Sequence, residues 1–137
     1  MFRKFMVNLA LKFQGIPYIW GGSNPHVGFD CSGFCIWILQ VFNVIPSGDW
    51  TAEGLRQHFT PIQEGTTFRE GDLVFYGTKT GATHVMMSIG NGLCIGASGG
   101  DHTCVTEEIA KQKGAMVKIK QVHYRTDLIG IGSIGIE

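Results

Sequence analysis

A chain of 137 residues amounts to one domain, with little polymer left for a second. Eleven Lys and Arg balance eleven Asp and Glu, which excludes the basic surface of a nucleic-acid-binding protein and an acidic tail alike. With 44% hydrophobic and 16% charged residues the chain can build a core, and no run of about eighteen apolar residues is present to cross a membrane.

At the start, Phe2, Phe5, Met6, Leu9 and Phe13 fall at helical spacing on one face, and Gly15 with Pro17 supplies a stop. Arg3 and Lys4 ahead of apolar residues superficially resemble a secretion signal. Asn8 interrupts that stretch, Lys12 closes it, and no small-x-small cleavage site follows. The segment is therefore read as an amphipathic helix of the fold. Residues 16–29 are dense in turn formers, with Trp20 expected to be a packing aromatic and Gly21 and Gly22 to be freed for positive φ. Residues 31–42 are apolar on nearly every face and too long for a strand, which predicts a helix in the centre of the protein. Thr51 can cap a short helix through Phe59, ended by Thr60-Pro61.

Beyond Pro61 the character becomes strand-like. Residues 72–76 form an apolar run between Gly71 and Gly77. Residues 84–89 and 93–97 are joined by Gly90-Asn91-Gly92, a good hairpin turn, and residues 117–122 alternate. Helices first and an antiparallel sheet second is an α+β arrangement.

Of the four cysteines, Cys31 and Cys35 are one helical turn apart, and Cys94 and Cys104 lie far along the chain. There is no C-x-x-C pair, and no histidine stands at zinc-finger spacing from a cysteine. Four reduced thiols and no metal are the expectation. Asp30 is a plausible N-cap, which puts Cys31 in a first helical turn. Unpaired backbone N–H groups and the positive end of the helix dipole favour a thiolate there. The competing reading is a small apolar residue filling space, which suits Cys35 better. A nucleophilic thiol needs a base, and five histidines are available. His84 opens a strand directly after Gly81-Ala82-Thr83, but spacing alone does not choose it.

Taken in series, Pro17-Tyr18-Ile19-Trp20-Gly21-Gly22, Phe29-Asp30-Cys31-Ser32-Gly33, Gly71-Asp72-Leu73-Val74-Phe75, His84-Val85 and Ile89-Gly90-Asn91-Gly92 resemble the NlpC/P60 family of cysteine peptidases. The resemblance covers essentially the whole chain. It implies a single catalytic domain over 1–137 with a papain-like α+β fold, a central buried nucleophile helix packed on an antiparallel β-sheet. The implied activity is hydrolysis of peptidoglycan stem peptides, usually between D-γ-glutamate and the following diamino acid, without a cofactor, nucleic acid or membrane. By position Cys31 matches the family nucleophile and His84 its general base. Tyr18 matches a tyrosine whose hydroxyl points into the site, and Asp30 and Ser32 match positions that hold the free amino end of the peptide.

Two departures from the family stand out. The polar group that orients the histidine lies twelve positions beyond it, and here that position is Gly96. Of the nearby Ser98, Asp101 and His102, His102 is the expected substitute. Met86-Met87-Ser88 stands where the family tends to have Gly-Ile-Tyr. The expected reaction starts from a Cys31 thiolate paired with protonated His84. An N-acetylmuramoyl-L-alanine amidase, a thiol acyltransferase and a non-catalytic wall-binding or assembly-binding relic are the alternatives on this fold. Synthesis in the cytoplasm, with carriage in a phage particle or release to the wall, is the expected placement.

Overall fold

In a computed structural model, which describes residues 2–135, the first helix forms where its spacing put it but turns a different stripe inward. Met1, Ile136 and Glu137, the ends of the expected 1–137 domain, lie outside the described residues. Helix α1 (Phe2–Lys12) buries Arg3, Met6, Val7 and Ala10, while Phe5 is 56% exposed. The reason is electrostatic. Arg3 Nη1 donates to Asp72 Oδ1 at 2.8 Å and to the Glu70 carbonyl at 2.9 Å. The same Asp72 carboxylate accepts the backbone N–H groups of Arg69 and Ile134. A buried ion pair is tolerated when its remaining hydrogen-bonding capacity is met in this way.

The short antiparallel ladder of β1 (Ser23–Asn24) and β2 (Gly28–Phe29) leads into α2 (Cys31–Val41). Asp30 has extended backbone and caps α2 by accepting the Gly33 N–H at 2.6 Å, satisfying one of the unpaired first-turn donors. Helix α2 buries Gly33, Phe34, Cys35, Ile38 and Leu39 against the sheet, whereas Ile36, Trp37 and Gln40 are half-buried and Val41 is exposed. The sheet covers one side, and α1 and the β1–β2 ladder lie against others, with the Trp37 ring against Phe13 and Phe29. Thr51 caps α3 (Ala52–His58) through the Gly54 N–H, as the sequence predicts.

Six strands follow in one antiparallel sheet: β3 (Thr60–Pro61), β4 (Leu73–Thr78), β5 (Gly81–Gly90), β6 (Leu93–Ser98), β7 (Met116–Gln121) and β8 (Leu128–Ser133). Their order is β3-β8-β4-β5-β6-β7, with helix α4 (Glu107–Lys113) between β6 and β7 in sequence. Side-chain alternation covers both sheet faces. Leu73, Phe75, Val85, Met87 and Ile95 join the core shared with Phe34, Ile38 and Leu39 of α2. Val74, Tyr76, Met86 and Cys94 form a second cluster with Val122. Strand β8 has no counterpart among the sequence expectations, its alternation interrupted by Gly130 and Gly132. At Gly132 the sheet needs the missing side chain: a Cβ there would lie 3.1 Å from the Phe75 ring and 3.3 Å from Phe59 Cβ.

Candidate active site

The N-terminus of α2 and the start of β5 face a cleft of about 320 Å³ lined by Tyr18, Trp20, Cys31, Thr83, His84, Ser98 and Arg125 and the 99–102 loop. Cys31 is partly exposed, and its thiol points to the Thr83 carbonyl at 3.9 Å, the residue directly before His84. The helix start therefore brings the sulfur to the strand that carries the histidine. The close approach of Gly22 to α2 explains the glycine that ends the Asp-Cys-Ser-Gly run, since a Cβ on Gly33 would collide with the Gly22 carbonyl oxygen.

His84 is buried, paired in register with Tyr76 of β4, its ring centroid 5.5 Å from the Tyr76 ring. Its Nε2 lies 2.9 Å from the Tyr124 hydroxyl. Tyr124 stands in the turn between β7 and β8, and its hydroxyl is 3.4 Å from Ser98 Oγ. Beside it Arg125 grips Asp127 through Nε at 2.8 Å and Nη2 at 2.6 Å.

Burial dominates the electrostatics of both reactive groups. It pushes the Cys31 thiol up to about 11, with the Asp30 charge adding to the rise and backbone hydrogen bonds opposing it. It pushes the His84 imidazole down to about 4, with the Arg125 cation adding and Asp127 opposing. Both shifts favour the neutral forms. Burial thus works against the expected thiolate–imidazolium pair, which the helix start would favour.

Tyr18 is buried and faces the cleft, its hydroxyl pushed above the usual tyrosine range by burial and then by Cys31 and Asp30. Asp30 and Ser32 instead line a second cleft of about 340 Å³ with Ser23, Asp49 and Trp50. Ser32 Oγ donates to Asp30 Oδ1 at 3.3 Å. The residues expected to bind substrate are thus divided between two clefts, with Asp30-Cys31-Ser32 as the sill between them.

The bond to His84 that the sequence expectation gave to His102 is made by Tyr124. His102 lies at the rim with its ring edge-on to Trp20, centroids 6.2 Å apart. Trp20 itself is 55% exposed, not packed inside. Gly21 does adopt φ +75°. Gly22 serves close approach, since a Cβ there would collide with the Gly28 carbonyl. Nothing local in the sequence marks Tyr124: it is forty positions from His84 and sits in no motif. Cys35, Cys94 and Cys104 are buried. Among the described residues, no group of three or more His, Cys, Asp or Glu could hold a metal ion.

A papain-like α+β fold, with a helix-start cysteine and a strand histidine lining one cleft, defines the structural class. Residues 15–126 match the NlpC/P60 family, and the chain belongs to that family. The chain is similar to the bifunctional muramidase/DL-endopeptidase CwlT of Bacillus subtilis strain 168, at 40% identity over 95 residues, 66% of this chain and 28% of the relative. It is similar to the peptidoglycan endopeptidase RipB of Mycobacterium tuberculosis at 34% identity over 111 residues, 70% of this chain and 43% of the relative. Both relatives are thus much longer than the segment they share with this chain. The crystal structure of the NlpC/p60 domain of the peptidoglycan hydrolase SagA superposes with a TM-score of 0.71 at 31% identity, covering 93% of this chain and 95% of that one.

Proposed function

We propose that this chain is a cysteine peptidase that hydrolyses peptidoglycan stem peptides between D-γ-glutamate and the following diamino acid. The observation that carries the reading is the meeting of Cys31 and His84 on one cleft, with the far nitrogen of the imidazole held by a hydrogen bond. Kinship to proteins named as peptidoglycan and DL-endopeptidases supports the substrate class.

Burial favours the neutral forms of both groups, and in the proposed reaction the chemistry begins with general-base catalysis. His84 takes the thiol proton as Sγ attacks the amide carbonyl carbon. The backbone N–H of Cys31, in the first turn of α2, donates to the developing oxyanion, with the Tyr18 hydroxyl on the same cleft as a second donor. His84 then gives its proton to the departing amine as the C–N bond breaks. Water, deprotonated by the same imidazole, attacks the thioester carbonyl, releasing the carboxylate product and restoring the thiol.

The test is digestion of purified wall fragments by wild-type protein and by Cys31→Ala, with products read by mass spectrometry. Wild-type protein is expected to free an amine on the diamino acid, and Cys31→Ala to lose at least about 1,000-fold in rate with an unchanged melting temperature. A freed muramoyl group identifies an amidase and a transferred acyl chain an acyltransferase. Undiminished cleavage by the variant rejects Cys31 as nucleophile.

A further inference from the structure

We infer that Tyr124 is the positioning residue for His84, supplying from the β7–β8 turn the hydrogen bond that strand β6 has lost at Gly96; the inference rests on His84 being the base. Strand β6 has no room for such a group. The pairing of Met87 with Ile95 sets Met86 opposite Gly96, and a Cβ built on Gly96 would lie 2.6 Å from Met86 Sδ. Met86 is fully buried. The two departures from the family pattern are therefore one exchange. Bulk has moved across the strand pair from β6 to β5, and the polar contact has moved to another element.

The requirement it meets is physical. His84 is buried, so an Nε2–H without an acceptor carries the full penalty of a desolvated donor. Tyr124 Oη at 2.9 Å removes that penalty, and its own proton has an acceptor in Ser98 Oγ at 3.4 Å. A proton on Nε2 leaves Nδ1 with the lone pair, the nitrogen free to act on the thiol. The tyrosine is well fixed for this task. Its ring stands edge-on to Tyr76 with centroids 5.5 Å apart, and Tyr76 Oη donates to the Val122 carbonyl at 2.6 Å. Lys120 Nζ lies over the Tyr124 ring at 5.4 Å. Being neutral, the phenol orients the imidazole without the charge that would stabilise an imidazolium, so Tyr124 fixes geometry and tautomer while leaving the base weak.

Two measurements test this. In wild-type protein, ¹⁵N NMR of His84 is expected to show the Nε2–H tautomer, and Tyr124→Phe is expected to give a mixture of tautomers. In stem-peptide hydrolysis Tyr124→Phe is expected to lower kcat about 10- to 100-fold with KM changed less than about twofold. Adding Met86→Gly and Gly96→His to Tyr124→Phe is expected to recover about tenfold of that loss, because it restores a polar side chain on β6. An Nδ1–H tautomer in the wild type, wild-type kcat in Tyr124→Phe, or a folded triple variant no faster than Tyr124→Phe each overturns the inference. The peptidase reading fails separately, through an inactive wild type or an active Cys31→Ala. The tautomer measurement decides the Tyr124 contact in either case.

Discussion

The two walls of the cleft are held together in opposite ways. On the helix wall the side-chain contacts that shape the helix start are local: the Asp30 carboxylate accepts from Gly33 and Ser32, three and two positions on, with the Gly22 carbonyl against Gly33 and the Thr83 carbonyl facing the Cys31 thiol as more distant neighbours. On the sheet wall, His84 depends on Tyr124 forty positions away, and Tyr124 faces Ser98 from twenty-six away. The local wall carries its motif intact. The long-range wall has exchanged a side chain at position 96 for the bulk of Met86 and draws its polar contact from a turn. A wall built from several elements can be remade one element at a time, whereas a capped helix start draws its geometry from a few neighbouring residues.

The sharpest way to break this comparison is to add one methyl group to each wall. In Gly33→Ala the new Cβ meets backbone, the Gly22 carbonyl, which cannot step aside without unseating the 17–22 loop. A loss of more than about 3 kcal/mol is expected, together with loss of hydrolysis. In Gly96→Ala the obstacle is the thioether of Met86, which has other rotamers, and about 1–2 kcal/mol is expected. Urea unfolding of both variants checks the order. Equal losses would mean the sheet wall is as rigid as the helix wall.

Acid titration probes the sheet wall through His84. The folded protein holds His84 down at about 4, while the unfolded chain titrates near the ordinary value of 6.5. Between those limits the unfolded state binds more protons, so stability is complete above about pH 6.5 and falls as the pH drops toward 4. The full effect is on the order of 3 kcal/mol. His84→Gln is expected to flatten unfolding midpoints across this window. Carboxylates held low, such as Asp127 beside Arg125, act at more acid pH, and the Asp30 carboxyl, raised by burial and opposite in sign, is removed by making the comparison in an Asp30→Asn background. A midpoint constant from pH 7 to pH 4.5 with His84 present in that background would refute the burial of an uncharged imidazole.

Much of the helix wall was legible because its physics is local. Asp30, Cys31 and the apolar run after them give the cap, the helix and the position of the thiol within one short segment. The hairpin of β5 and β6 was equally visible, with Asn91 at φ 56° in the Gly-Asn-Gly turn. What escaped was set by tertiary context. The inward stripe of α1 begins with a charge, Arg3, whose partner Asp72 lies sixty-nine positions on, so an apolar pattern points to the wrong side. Strand β8 is disguised by Gly130 and Gly132, of which Gly132 makes room for Phe75 and Phe59. Met86 and Gly96 were each visible as departures, but only the strand register shows them to be one exchange.

The smallest expected effect corrects a sequence argument at the helix wall itself. A helix N-terminus favours a thiolate, yet the residue that caps α2 is a carboxylate beside the sulfur, and after burial its charge is a contributor to the raised thiol. Cap and charge are separable. Asp30→Asn keeps a side-chain oxygen for the Gly33 N–H and should hold stability within about 0.5 kcal/mol, whereas Asp30→Ala loses the cap and about 1 kcal/mol. With the charge gone, the midpoint of Cys31 alkylation by iodoacetamide against pH should move downward by a fraction of a unit in Asp30→Asn, read by peptide mapping of the labelled cysteine. An unmoved midpoint would show that the Asp30 charge does not act on the thiol. The capping aspartate would then be neutral in its effect on the sulfur, and the helix wall would be purely a scaffold.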